Sequence, residues 1–135
     1  MNLKRSLLLP GLLMLLSGCQ HLSAKGDQCE QSIRAYNRMV RWQEYEAAEK
    51  AVAPPVVDEY RKTFTSGDLK IADYRIKSLT CDAEKGAAEA VIEFDYYLPP
   101  SLSVKTIEDT QKWRHFSDAI PGGWRLVSPP PDLRN

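Results

Sequence analysis

The sequence predicts an α+β domain, with helices first and a curved antiparallel sheet of about four strands after them. Cys29, Ile33, Tyr36 and Val40 recur at helical spacing and form a single apolar stripe. From Leu69 onward the period changes to two, as in strands with one buried face. Helices followed by a run of strands are typical of a fold whose helices cover one face of a sheet.

The helical part is expected to begin at Gln28 and to be one bent helix or two helices that separate near Trp42 and Gln43. Consecutive prolines at 54 and 55 end this segment, because proline disfavours helical backbone at the residue before it. A short third helix then places Val57, Tyr60 and Phe64 on one face.

Four strands are expected after the helices. The first alternates through Tyr74 and Ile76, and residues 82–86 form a turn with glycine that leads into the return strand. The return strand has one long apolar face, made of Ala88, Ala90, Ile92, Phe94, Tyr96 and Leu98. Residues 104–116 and 124–127 form the last two strands, and the prolines at 129–131 leave a tail that cannot join a sheet interior.

The first eighteen residues have the pattern of a secretory signal. Lys4 and Arg5 precede a leucine-rich apolar run of about a dozen residues. A membrane-spanning helix needs roughly 20 apolar residues, so this run predicts an export signal rather than a transmembrane anchor.

The run ends in Leu16, Ser17, Gly18 and Cys19, which resembles the lipobox of bacterial lipoproteins. The resemblance implies cleavage before Cys19 and transfer of a diacylglyceryl group to its thiolate, followed in many lipoproteins by acylation, such as palmitate, on the new amino group. Gln20 follows where aspartate would favour the inner membrane of a Gram-negative cell. We therefore expect anchoring at the outer membrane, facing the periplasm; the alternative is an ordinary signal with a chance cysteine.

Three regions are expected: the cleaved signal at 1–18, the lipidated cysteine and a polar tether at 19–27, and one domain at 28–135. The signal holds two of the 18 basic residues and none of the 18 acidic ones, so the exported chain has a formal charge of −2. This balance gives no basis for nucleic-acid binding. No cofactor is predicted, and the sequence has no phosphate loop or metal-binding motif.

Lipidation of Cys19 would leave Cys29 and Cys81 as an even pair in an oxidising compartment. We expect a disulfide between them, with two buried free thiols as the alternative. Two cysteines alone are too few to predict a metal site.

The exported chain resembles the nuclear transport factor two-like superfamily. The similarity lies in the order of elements, in WQEYEAA at 42–48, in the hairpin at 74–98, and in Trp113 with the closing segment 124–127. More narrowly, it is similar to uncharacterised bacterial lipoproteins of this architecture. The resemblance implies a cone of helices against the sheet, and homodimers through the open sheet face are common in that superfamily.

The superfamily includes isomerases and dehydratases, and their acid–base residues lie inside the cone. His115 with Asp95 or Asp109 is the only candidate pair here, and a partly exposed histidine without a catalytic role is the alternative.

The function expected from the sequence is non-catalytic binding by a lipid-anchored domain. The partner would be another envelope protein or a small apolar ligand, and a purely structural envelope component is a further alternative. The default ligand site is the cavity between the early helices and the sheet. Its candidate lining residues are the aromatic side chains Trp42, Tyr45, Phe94, Tyr96 and Trp113.

Overall fold

The computed structural model describes residues 17–65, 67–118 and 122–134, with side chains from residue 24 onward. Its helices are α1 (Ser17–Arg41), α2 (Tyr45–Glu49) and α3 (Val57–Phe64), and a 3-10 turn at Pro54–Val56 precedes α3. Its strands are β1 (Lys70–Asp82), β2 (Ala87–Tyr97), β3 (Lys105–Phe116) and β4 (Gly123–Leu126). The predicted α+β class is confirmed, while residues 1–16 of the signal predicted at 1–18 lie outside the described residues.

The four strands form one open antiparallel sheet in the order β1-β2-β3-β4. Each strand follows its neighbour along the chain, so short connections suffice. The face of alternating apolar residues packs against the helices, and Ala90, Ile92, Phe94 and Tyr96 of β2 are all buried there. The opposite face is polar and carries no helix in the described part of the chain.

Helix α1 starts at Ser17, well before the expected start at Gln28. The segment 19–27, expected to be a tether, is therefore helical and forms part of α1. Residue 25 is held against the sheet because the indole N–H of Trp124 donates to the Lys25 carbonyl oxygen at 3.1 Å. The helix ends at Arg41, and Gln43 takes a left-handed φ of 61° before α2 begins. Of the two expected arrangements, the structure therefore has two helices separated at Trp42 and Gln43.

A disulfide joins Cys29 of α1 to Cys81 of β1, as predicted. Cys29 is fully buried, and the bond ties the first helix to an edge strand 52 residues away in the chain. Closing a loop of this length stabilises the fold by about 4 kcal/mol in the chain-entropy model.

The outer edge of β4 is covered by residues 51–53. The amide of Ala53 donates to the Leu126 carbonyl, and the amide of Leu126 donates to the Ala51 carbonyl, both at 2.8 Å. The chain then leaves the sheet through its prolines, and Leu133 anchors the tail in the core with 1% of its surface exposed. None of the described helices is both long and apolar enough to span a bilayer.

Candidate functional site

The expected interior ligand site is filled by protein. Phe94, Tyr96 and Trp113, three of the predicted lining residues, are each at most 3% exposed. Tyr36 packs edge-on against Trp113 with ring centroids 5.4 Å apart, and Tyr60 lies 6.3 Å from Tyr36. These aromatic side chains belong to the core, where their role is packing.

The other two predicted ligand residues lie at an external corner. Trp42 is 63% exposed in the turn between α1 and α2, with the Arg41 guanidinium carbon 4.7 Å from its ring centroid. Tyr45 is half-buried, stacks on Phe64 at 5.4 Å, and its hydroxyl donates to the Leu69 carbonyl at 3.5 Å.

Beside Trp42 lies an open groove of about 690 Å³, which we call the corner groove. Its walls combine charged side chains with half-buried Tyr45 and buried Phe64. They are formed by Gln43, Glu44, Tyr45, Glu46, Ala47, Lys50, Phe64, Thr65 and Gly67. The backbone of Tyr45 is fixed from below because the Tyr60 hydroxyl donates to its carbonyl at 2.7 Å. The groove is therefore a surface built on a rigid support.

Asp95, a candidate acid–base residue, lies on the polar face of the sheet. Its carboxylate accepts hydrogen bonds from Arg75 Nη1 at 2.8 Å and Nη2 at 2.9 Å, and from the Thr106 hydroxyl at 2.7 Å. Arg75 also bonds Glu93, with Nη2 and Oε1 separated by 2.6 Å. The hydrogen bonds from Arg75 and Thr106 lower the pKa of Asp95 to about 2, so this group is a poor proton acceptor near neutral pH.

Asp109, the second candidate, lies on the apolar face and is only 7% exposed. Burial raises the pKa of its carboxyl to about 6, and a hydrogen bond from Gln111 Nε2 at 3.0 Å offsets part of this shift. No ion pair of Asp109 occurs within the described residues.

A polar cluster surrounds Asp109. The side chains of Asn37 and Gln111 bond each other, and Asn37 Nδ2 also donates to the Ile33 carbonyl at 2.9 Å. The indole N–H of Trp113 donates to Gln111 Oε1 at 3.3 Å. One signal for this cluster is visible in the sequence: Asp109, Gln111 and Trp113 share a strand parity. Asn37 was missed because it lies beside the apolar stripe of α1 without belonging to it.

His115 does not meet either carboxylate. It packs edge-on against Trp124 at 5.4 Å, and its Nδ1 lies 3.2 Å from the Ser117 hydroxyl. His115 lies six positions after Asp109 along β3, a distance of about 20 Å. Asp95 projects from the opposite face, so the structure brings neither predicted acid–base pair together.

The described residues contain no group of three or more histidine, cysteine or acidic side chains that could hold a metal ion. The geometry thus defines an α+β domain with a filled core, one buried polar cluster and an external aromatic corner. No protein-family model, no curated protein and no solved structure matches this chain.

Proposed function

We propose that this chain is a bacterial lipoprotein held at the outer membrane, facing the periplasm, by lipids on Cys19. The domain acts as a binding module for another envelope protein. The observation that carries the binding role is the exposed Trp42 beside the corner groove, on a domain whose interior aromatic residues are already packed. Tryptophan is among the residue types enriched at protein–protein interfaces.

The position of the corner groove suits a partner located away from the membrane. Cys19 falls in the first turn of α1, and Trp42 follows the last residue of the same helix. At 1.5 Å per residue, these positions are about 35 Å apart. The anchor therefore holds the groove away from the lipid surface, where a periplasmic protein can reach it.

We also propose that the domain belongs to the nuclear transport factor two-like superfamily. Support comes from the element order, with helices on one face of an antiparallel sheet, and from the position of Trp42 just before the second helix and of Tyr45 at its start. Membership of this superfamily does not by itself imply an enzymatic activity, because the fold occurs in both enzymes and binding proteins.

Two measurements test the anchor. Labelled palmitate should be incorporated into the full chain and into Gln20→Ala, and should be lost from Cys19→Ala. Membrane fractionation should place the wild-type chain with the outer membrane and Cys19→Ala in the soluble fraction. Equal label in wild type and Cys19→Ala would show that the lipidation site is wrong.

The binding role is tested separately with a photo-crosslinking side chain at Gln43, on the wall of the corner groove. The expected result is one discrete protein adduct in intact cells, lost when Trp42→Ser is added. The matched control places the same probe at Lys77, an exposed residue of β1. Identical adducts at both positions, or an adduct that survives Trp42→Ser, would reject the groove as the binding surface.

A further inference from the structure

Strand β3 has one free edge. Strand β4 pairs with β3 only from Trp113 to Phe116. Beyond that, the amide of Val127 donates to the Lys112 carbonyl at 2.8 Å, and the amide of Lys112 donates to the Ser128 hydroxyl at 2.9 Å. Residues 129–131 are prolines, which have no N–H to continue the ladder. Among the described strands, none pairs with residues 105–111 on that side.

The two bonds of Lys112 fix which main-chain groups face this edge. Because the register of β2 with β3 is unbroken, groups two residues apart point the same way. The N–H and C=O groups of Thr106, Glu108 and Thr110 therefore point away from β2, like those of Lys112. All three side chains are exposed. A row of unpaired backbone groups is a template for another strand.

Asp109 lies on this same segment and lacks a basic partner in the described part of the chain. Charged groups this deeply buried are normally paired, because desolvation is otherwise uncompensated. Four residues away, Lys105 is exposed and has the same strand parity as Asp109. The open edge of β3 thus carries a basic side chain, Lys105, and a carboxylate without an ion-pair partner among the described residues, Asp109.

We propose that a second copy of this chain pairs with β3 along this edge, antiparallel, with the two-fold axis at Ile107. In this register Lys105 lies opposite the partner's Asp109, Thr106 lies opposite the partner's Glu108, and Ile107 lies opposite the partner's Ile107. The two sheets join into one continuous sheet of eight strands. This interface uses the strand edge, not the polar face of the sheet, and it is independent of the lipid anchor.

Charge favours this register over those displaced towards the C-terminal end of β3. A two-fold axis at Glu108 would place two Glu108 carboxylates opposite each other, and an axis at Asp109 would oppose two buried carboxylates. Like charges directly opposite destabilise a strand pair, whereas opposite charges stabilise it. The axis at Ile107 avoids both clashes. It also places the exposed Val104, with 57% of its surface accessible, opposite the partner's Thr110.

The register predicts a crosslink at a single position. Ile107 and the partner's Ile107 form a non-hydrogen-bonded pair, whose Cα atoms are about 4.5 Å apart. This separation is within the range that a disulfide spans. In purified full-length protein, oxidation with copper phenanthroline should therefore convert Ile107→Cys to a covalent dimer at least about tenfold more efficiently than Thr110→Cys. The Thr110 positions are about 20 Å apart in this register.

A second comparison tests the backbone hydrogen bonds themselves. Adding Glu108→Pro to Ile107→Cys removes a main-chain donor that only the second copy uses, and proline is tolerated at an edge. The crosslink should fall at least about tenfold, whereas Glu108→Ala, which keeps the donor, should leave it unchanged. Equal crosslinking at 107 and 110, no crosslink at 107, or an unchanged crosslink in a folded Glu108→Pro variant would each overturn the proposal.

Discussion

Asn37 and Gln111 exchange two hydrogen bonds between their side-chain amides across the interface of α1 and β3. Asn37 Nδ2 donates to Gln111 Oε1 at 3.0 Å, and Gln111 Nε2 donates to Asn37 Oδ1 at 2.8 Å. Both residues are fully buried, and no buried side-chain polar atom of the described residues is left without a partner. This pair therefore fixes how the first helix sits on the sheet.

Asn37→Ala should lower the free energy of unfolding by about 2–3 kcal/mol, because it leaves the Gln111 amide buried and unpaired. Gln111→Ala should cost at least as much, since it also removes the bonds to Asp109 and Trp113. Urea unfolding of both single variants and the double variant measures their coupling, expected at about 1–2 kcal/mol. Gln31→Ala, at an exposed position of α1, is the matched control and should change stability by less than about 0.5 kcal/mol. Additive single effects would contradict the pairing.

At concentrations where the chain is monomeric, the stability of the domain should fall as the pH rises from about 4 to above 6. The folded-state pKa of Asp109 is about 6, above its ordinary value of 3.8, so the folded protein binds a proton that the unfolded chain releases. The stabilisation from this bound proton is fully present below the pKa of the unfolded chain, 3.8, and is lost as the pH rises through the folded-state pKa of about 6. A shift of this size corresponds to about 3 kcal/mol. Asp109→Asn should flatten the profile between pH 4 and 7, as measured by urea unfolding at a series of pH values.

Asp95 is expected to make stability depend on pH in the opposite direction, and it serves as the control for Asp109. Its pKa is lowered to about 2, so its pairing with Arg75 stabilises the fold above pH 4 and is lost only as the pH falls towards 2. Asp95→Asn should therefore abolish the loss of stability as the pH falls from 4 towards 2, lower the stability above pH 4 by a constant amount, and leave the slope between pH 4 and 7 unchanged. An Asp95 variant that flattened the profile between pH 4 and 7 would show that Asp109 is not the responsible group.

Removing the disulfide should lower stability by about 4 kcal/mol, since the unfolded chain regains the freedom of a 52-residue loop. The variant Cys29→Ala/Cys81→Ala and the reduced wild type should agree within about 1 kcal/mol in urea unfolding. Reductant should have no effect on the double variant, which separates the crosslink from other effects of the reagent.

Replacing either of two glycines by alanine should change the stability of the fold, with a loss at one position and a gain at the other. Gly86 has a φ of 61° in the turn between β1 and β2, where a side chain is strained, so Gly86→Ala should destabilise by about 1 kcal/mol. Gly26 lies inside α1, and nothing lies within 4 Å of the Cβ it would gain. Gly26→Ala should therefore stabilise the folded chain by about 1 kcal/mol through helix propensity. Thermal unfolding of each single variant checks both, and a loss of stability in Gly26→Ala would argue against a helix at that position.

The sequence was sufficient for the fold class because the apolar period changes once, from helical spacing to alternation near Leu69. The pairing of Cys29 with Cys81 also followed from counting cysteines. The helix start could not be predicted, because residues 20–27 have no apolar stripe. Lys25 in this segment is held by a tertiary contact, the hydrogen bond from the Trp124 indole to its carbonyl oxygen.

The positions of the candidate site residues relative to one another follow from long-range packing, which the sequence patterns do not specify. Strand parity placed Asp109, Trp113 and His115 on one face, but the length of β3 keeps His115 far from Asp109. The alternation of β2 placed Asp95 on the polar face, and the register with β1 then set Arg75 beside it. Sequence patterns report which face a side chain takes. Which side chains meet depends on register and helix placement, and these are set by contacts between residues far apart in the chain.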